Sequence, residues 1–187
     1  MDRQKPASGK ILISDPFLQD PNFARTLVLL AEHNDMGTFG FVLNNAIDLT
    51  LDVALQNDSL PKTPICQGGP VELTSLHFLH TLGNVIANSK EIIPGIYWGG
   101  DFTKALELLE NKPTMEEQFI FFLGYSGWAQ GQLQDELEEE AWIVGEIGSS
   151  ILFKRELNAH DIWKMAMKNL GGKYALLVDS PIDPSLN

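Results

Sequence analysis

Cysteine is almost missing from this sequence: Cys66 stands alone, which excludes an internal disulfide framework and leaves the fold to be held by its core. Positive charge is scarce as well. The 13 lysines and arginines face 25 aspartates and glutamates, a formal charge of −12 that repels nucleic-acid phosphates and anionic membrane surfaces. No basic patch compensates and no helix-turn-helix pattern is evident, which argues against direct contact with DNA. Long hydrophobic runs are lacking too. Stretches such as Phe119-Ile120-Phe121-Phe122-Leu123 fall far short of the ~20 residues a membrane helix requires and read as buried strands. The opening residues Met1 to Pro6 lack the apolar run of a secretory signal, so a cytoplasmic address is expected.

What is present suits one globular unit. Apolar residues make up 44% of the 187 residues and charged residues 20%, which is enough to bury a core without staples and far from the composition of disorder. The expectation is a single α+β domain over residues 9–178, with flexible tails at 1–8 and 179–187, the second interrupted by Pro181 and Pro184.

Short strands are predicted at Gly9 to Ser14, Arg25 to Ala31 and Thr38 to Leu43, the last two joined by the turn residues Asn34-Asp35-Met36-Gly37. Thr50 is placed to cap a helix over Leu51 to Gln56. Further strands are expected at Ile65 to Gln67, Ser75 to Thr81 and Gly95 to Trp98. Asp101 then caps the clearest helix, with Phe102, Ala105, Leu106 and Leu109 on one face. A strand over Glu117 to Leu123 runs into Gly124-Tyr125-Ser126-Gly127-Trp128, read as a tight turn before a helix over about Gln130 to Glu140. Trp142 to Phe153 reads as one or two strands. Asn158 with Asp161 opens a last helix that Gly171-Gly172 ends.

Several groupings invite a chemical reading, and each has a plainer one. Ser126 lies between two glycines, but a nucleophile elbow needs Gly-x-Ser-x-Gly and position 128 is Trp. His77 and His80 would share a face on a helix; their surroundings indicate a strand, where residues three apart point to opposite faces, so a metal site is not expected. Cys66 precedes Gly68-Gly69-Pro70, a turn that could aim amides at an anion, yet no histidine is paired with the thiol and a buried structural cysteine is the simpler reading. The run Asp135 to Glu140 is a solvated helix face, except that Glu136 lies one turn beyond Gln132 and shares its side.

Taken in order, the motifs resemble the YqgE/AlgH family of bacterial proteins over about Gly9 to Leu177. Gly9-Lys10-Ile11-Leu12-Ile13 with Pro16, Phe23 to Val28 and Glu32-His33 look like its opening. Gly37-Thr38-Phe39-Gly40-Phe41-Val42-Leu43-Asn44 looks like its glycine-rich strand, with Phe39 and Phe41 as bulky versions. Gly68-Gly69-Pro70-Val71, Leu79-His80, Leu123 to Trp128, and Gly131-Gln132-Leu133 with Glu136-Leu137 and Trp142 complete the pattern. The resemblance implies a single domain with a mixed, partly barrel-like sheet flanked by helices, in a cytoplasmic bacterial protein. It implies little biochemistry: the family is largely uncharacterised, and its label of transcriptional regulator comes from a link to alginate production, not from a defined DNA contact.

The resulting expectation is a non-enzymatic regulatory or adaptor domain. Its polar groove would be formed by His33, Asn44, Gly68, Gly69, Pro70, Gly124, Tyr125, Gly127, Trp128, Gln132 and Glu136, and would hold a small ligand or a protein segment, without metal or cofactor. The alternative is a hydrolase or transferase using Glu136 or His33 as general base. A third reading makes Trp98 or Trp128 exposed anchors for a partner.

Overall fold

The computed structural model describes residues 4–153 and 159–180. Its frame is a sheet of ten strands: β1 (Ile11–Ser14), β2 (Leu27–Asn34), β3 (Gly37–Val42), β4 (Ala46–Thr50), β5 (Pro64–Gln67), β6 (Val71–His80), β7 (Lys90–Ile93), β8 (Ile96–Trp98), β9 (Phe119–Ala129) and β10 (Trp142–Gly145). The spatial order is β10-β1-β2-β3-β9-β6-β8-β7, with β4 and β5 to one side of this path. Every pairing is antiparallel except that of β5 with β9. The sheet is not closed into a barrel, because β10 and β7 remain its two ends.

β9 organises the sheet. Its first half lies between β5, at Ile65↔Phe121, and β6, at Phe78↔Phe121, while its second half pairs with β3 at Phe39↔Gly127. The expected strand therefore runs on through Gly124-Tyr125-Ser126-Gly127-Trp128, which is strand interior and not a turn into a helix. Gly124 makes this possible: at φ +67° it takes a left-handed kink inside the strand that a side chain would resist.

Alternation along the strands divides the apolar residues between three cores. Ile11, Ile13, Leu27, Leu29 and Phe41 face the first, which α5 (Ala159–Leu170) covers with Trp163 and Met167. Their neighbours Leu12, Val28, Leu30 and Val42 face the opposite side, where α3 (Gln132–Glu138) supplies Leu133. Beside that core, Ile65, Phe78, Phe119 and Phe121 pack beneath α1 (Leu51–Leu55) and α2 (Phe102–Asn111). Strands buried on both faces must be apolar throughout, which is why β1 and β2 show no polar alternation.

Several local expectations change. β4 and β7 have no strong sequence signal, and β6 begins at Val71, ahead of the expected Ser75. Glu117 belongs to a 3₁₀ segment, Pro113–Gln118, that precedes β9. The stretch after Gly145 forms α4 (Ser149–Leu152) in place of a second strand. Gly171-Gly172 redirects the chain into a further helix, α6 (Gly172–Leu177). Asp101 does cap α2, accepting from the Lys104 amide at 3.0 Å, whereas the side chain of Thr50 makes no cap bond to α1. The expected cap at Asn158 and the tail segments 1–3 and 181–187 lie outside the described residues. Within the described parts of the two tails, the Ser8 hydroxyl donates to Ala31 O at 2.9 Å, and Lys164 pairs with Asp179 at 2.6 Å.

Candidate functional site

The glycine motifs meet where β3, β5 and β9 join. The Gly68 amide donates to Leu123 O at 2.8 Å, and its carbonyl accepts from Val42 N at 2.8 Å and from the Ser126 hydroxyl at 3.0 Å. A Cβ on Gly68 would lie 2.4 Å from Gly124 O, and one on Gly69 would lie 2.3 Å from the Tyr125 backbone. Gly124 is equally confined, 2.7 Å from Val71 O by the same construction. These glycines exist so that backbones can touch, and the Gly68 amide is already spent inside the sheet. Ser126 is fully buried with its hydroxyl committed to Gly68, which removes it from any nucleophilic role. Pro70, next in the chain, is exposed.

A second cluster is equally self-contained. One Glu136 carboxylate oxygen accepts from the indole N–H of Trp128 at 2.8 Å and of Trp142 at 2.7 Å, and the other accepts from the Gln132 amide at 2.9 Å. Gln132 in turn accepts from the Ala129 amide at 3.0 Å, closing the entry to α3. The expected pairing of Gln132 with Glu136 is present, but as a clamp that fastens α3 to two tryptophans. Trp128 is 5% exposed and Trp142 4%, so neither is an exposed anchor.

The remaining expected members are dispersed. Asn44 brackets the start of β2, accepting from Leu27 N at 2.8 Å and donating to Arg25 O at 2.9 Å. His33 is six residues further along the same strand, about 20 Å away at ~3.3 Å per residue, where its Nδ1 meets the Thr38 hydroxyl at 2.6 Å. His33 and Asn44 therefore do not share one groove, which corrects the expected assembly. Cys66 is half-buried against the first core, its Sγ 3.9 Å from Leu43 O.

Tyr125, Gly127 and Trp128 do line a groove, with partners the motif reading missed. It has a volume of about 620 Å³ and lies at the end of the first core away from α5, where Phe39, His77, Trp98 and Tyr125 form its aromatic wall. Phe39 meets Trp98 edge-on at 4.9 Å between centroids and Tyr125 at 5.9 Å, and the His77 ring lies 5.9 Å from Tyr125. Gly127, opposite Phe39 in register, leaves the floor open because it adds no side chain to that face.

His77 is the unusual polar group here. Its Nε2 is shielded from solvent and has no hydrogen-bond partner among the described residues, a costly arrangement unless something else supplies one. Burial draws its pKa below the ordinary histidine range, with Glu72 opposing, which favours the neutral ring. His80, three residues on, faces the other side: Nε2 donates to Gly99 O at 3.0 Å and Nδ1 accepts from Leu82 N at 3.1 Å. The two do not form a metal pair, and no cluster of three or more metal-ligating side chains occurs among the described residues. Nor is any described helix long and apolar enough to cross a membrane.

Phe39, His77, Trp98 and Tyr125 come from four separate strands, so only the register of β3, β6, β8 and β9 reveals them as one wall. The available sequence signal was the pair of phenylalanines alternating with glycine in β3, which predicts two large rings on one face.

The architecture is thus that of a single mixed α+β domain with a large, predominantly antiparallel sheet, carrying an open aromatic groove. The AlgH-like family model (DUF179) matches residues 11–175. The chain is 41% identical over 180 residues to a UPF0301 protein of Cytophaga hutchinsonii, covering 96% of this chain and 98% of that one. It is 37% identical to one of Chlorobaculum parvum, covering 96% and 95%. This chain belongs to the AlgH-like, UPF0301 family. The solution structure of the AlgH protein of Pseudomonas aeruginosa, at 30% identity, superposes with a TM-score of 0.72 over 97% of this chain and 98% of that one. A crystal structure from Corynebacterium diphtheriae, protein DIP2367, shares the fold with a TM-score of 0.79 at 21% identity, covering 95% and 94%.

Proposed function

We propose that this chain is a non-enzymatic binding domain of regulatory or adaptor type, whose ligand is a flat, largely apolar small molecule with one polar group, held in the aromatic groove. The observation that carries the reading is His77 Nε2, shielded and without a partner among the described residues, beside the rings of Phe41, Trp98 and Tyr125. A ligand that stacks on Trp98 and draws the His77 ring round toward the groove would give Nε2 its hydrogen bond and cover the exposed end of the core. The volume of about 620 Å³ falls in the range of small-molecule sites. A role as hydrolase or transferase finds less support, since Glu136 is held by two indoles and an amide. The proposal includes a cytoplasmic setting, consistent with one half-buried thiol, and regulation without direct DNA contact, consistent with the charge of −12.

Native mass spectrometry of protein purified from its host tests this. The expected spectrum carries an adduct of defined mass that is lost in Trp98→Ala and in Gly127→Leu, which fills the floor, and is retained in Gln132→Ala. A clean apo mass, together with no NMR shift at Trp98, Tyr125 or His77 across a panel of planar heteroaromatic compounds, overturns it.

A further inference from the structure

The two ends of the sheet differ in how they are protected. β7 carries the exposed Lys90 and Glu91, its pairing with β8 is irregular between Glu91 and Ile93, and Pro94 follows it. Charge, irregularity and proline are the devices that keep a sheet edge from recruiting another strand. β10, with the sequence Trp142-Ile143-Val144-Gly145, has none of them.

The register fixes which backbone groups this edge presents. β10 pairs with β1 at Ile13↔Ile143 and Ile11↔Gly145, and the Asp15 amide donates to Ala141 O at 2.9 Å. Alternation of an antiparallel ladder then turns the N–H and C=O of Trp142 and Val144 away from β1, on the side where no described strand lies. Their side chains are buried, so the edge is held in place instead of fraying. A cavity of about 530 Å³ runs along it, reaching Trp142 and Val144 on one face and Ile143 and Tyr174 on the other.

We propose that the outer edge of β10 is a docking site for an extended basic segment of a partner protein, added to the sheet as an eleventh strand. The two faces of the edge specify the segment's pattern. On the face of Trp142 and Val144, α3 packs alongside, and the cavity is lined by Glu138 and Glu140 from the acidic run just before the strand. Residues of the added strand on that side are basic. On the other face Ile143 and Tyr174 border the first core and Lys173 lines the cavity, which favours apolar residues and disfavours lysine. Asp15 and Lys5 complete the charged lining. A second copy of this chain is the poorer occupant, because it would bring a further net charge of −12 to an edge that an acidic run already flanks.

The test uses the full chain, ¹⁵N-labelled, titrated with a heptapeptide of alternating lysine and valine at low salt. The expected result is shifts centred on the amides of Trp142 and Val144, with their hydrogen exchange slowed at least about tenfold. Affinity should fall at least about tenfold in Glu138→Lys/Glu140→Lys, whose changes are exposed and whose melting temperature is checked in parallel, and should weaken with added salt. A glutamate–valine heptapeptide should not bind. Absence of binding, shifts confined to the aromatic groove, or affinity indifferent to the charge reversal overturns the proposal. Protection of the same amides without peptide, accompanied by a dimer in sedimentation, also overturns it and gives the edge to a second copy.

Discussion

His77 and His80 lie three residues apart on β6 and are used in opposite ways. Both ring nitrogens of His80 are committed to backbone groups, at Gly99 and Leu82, so that ring is part of the frame. His77 Nε2 meets no partner among the described residues, and its ring lines an open groove. The tryptophans divide similarly. Trp128 and Trp142 spend their indole N–H groups on Glu136, whereas Trp98 is half-buried on a groove wall. A motif residue whose hydrogen-bonding capacity is exhausted internally is architecture, however regular its spacing. Function is better sought where a costly polar atom remains unspent.

The sharpest way to break this division is at the glycine junction. Gly69→Ala forces a Cβ to within 2.3 Å of the Tyr125 backbone, which no side-chain rotation relieves. Urea denaturation should show a loss of about 4 kcal/mol or more, or a chain that does not fold. A loss under 1 kcal/mol would mean that the junction is slack enough to bind something. Next in size is Glu136→Ala, which strands two indole N–H groups in a buried setting and should cost about 3 kcal/mol. Glu136→Gln keeps one oxygen for both indoles and should cost less. If Glu136→Ala leaves stability intact but removes ligand binding, Glu136 belongs to a site and the alternative of a general base returns. Smaller still is Ser126→Ala: it removes one bond to a carbonyl that Val42 N still occupies, for about 1 kcal/mol, with no change in binding.

How far this picture was legible in the sequence depends on the range of the interaction concerned. Local signals read well: Asp101 capping α2, the apolar strands β1 and β2, and Glu136 above Gln132 on α3 all follow from spacing within a turn or a strand. The family resemblance also located the glycines that matter. Their purpose was not legible, because the partner of Gly69 is Tyr125 and that of Gly68 is Gly124, 56 residues away in each case by numbering. A glycine needed for a turn, for an anion and for a backbone contact looks the same in one dimension. The groove was hidden for a related reason, since Trp98 and Phe39 become neighbours only through the intervening strands β9 and β6.

The smallest expected effect is also the one that addresses the two histidines directly. Burial holds the folded-state pKa of both below the ordinary 6.5, His77 against Glu72 and His80 against its bond to Gly99. As pH falls through about 6.5 the unfolded chain takes up protons that the folded chain refuses, so stability is whole above that pH and declines below it until the folded-state values are passed. Thermal melts at pH 7.5 and 5.5 should show the decline, and His77→Phe should remove part of it with little cost at pH 7.5, because no hydrogen bond is lost. His80→Phe should also flatten the slope but lower the melting temperature at both pH values, since Gly99 O and Leu82 N lose their partner. If the two variants behave alike, the rings are equivalent and the case for the groove weakens. If His77→Phe alone is tolerated, a ligand that relies on the neutral ring should lose affinity over the same pH window. That loss would tie the unspent nitrogen to binding and not merely to burial.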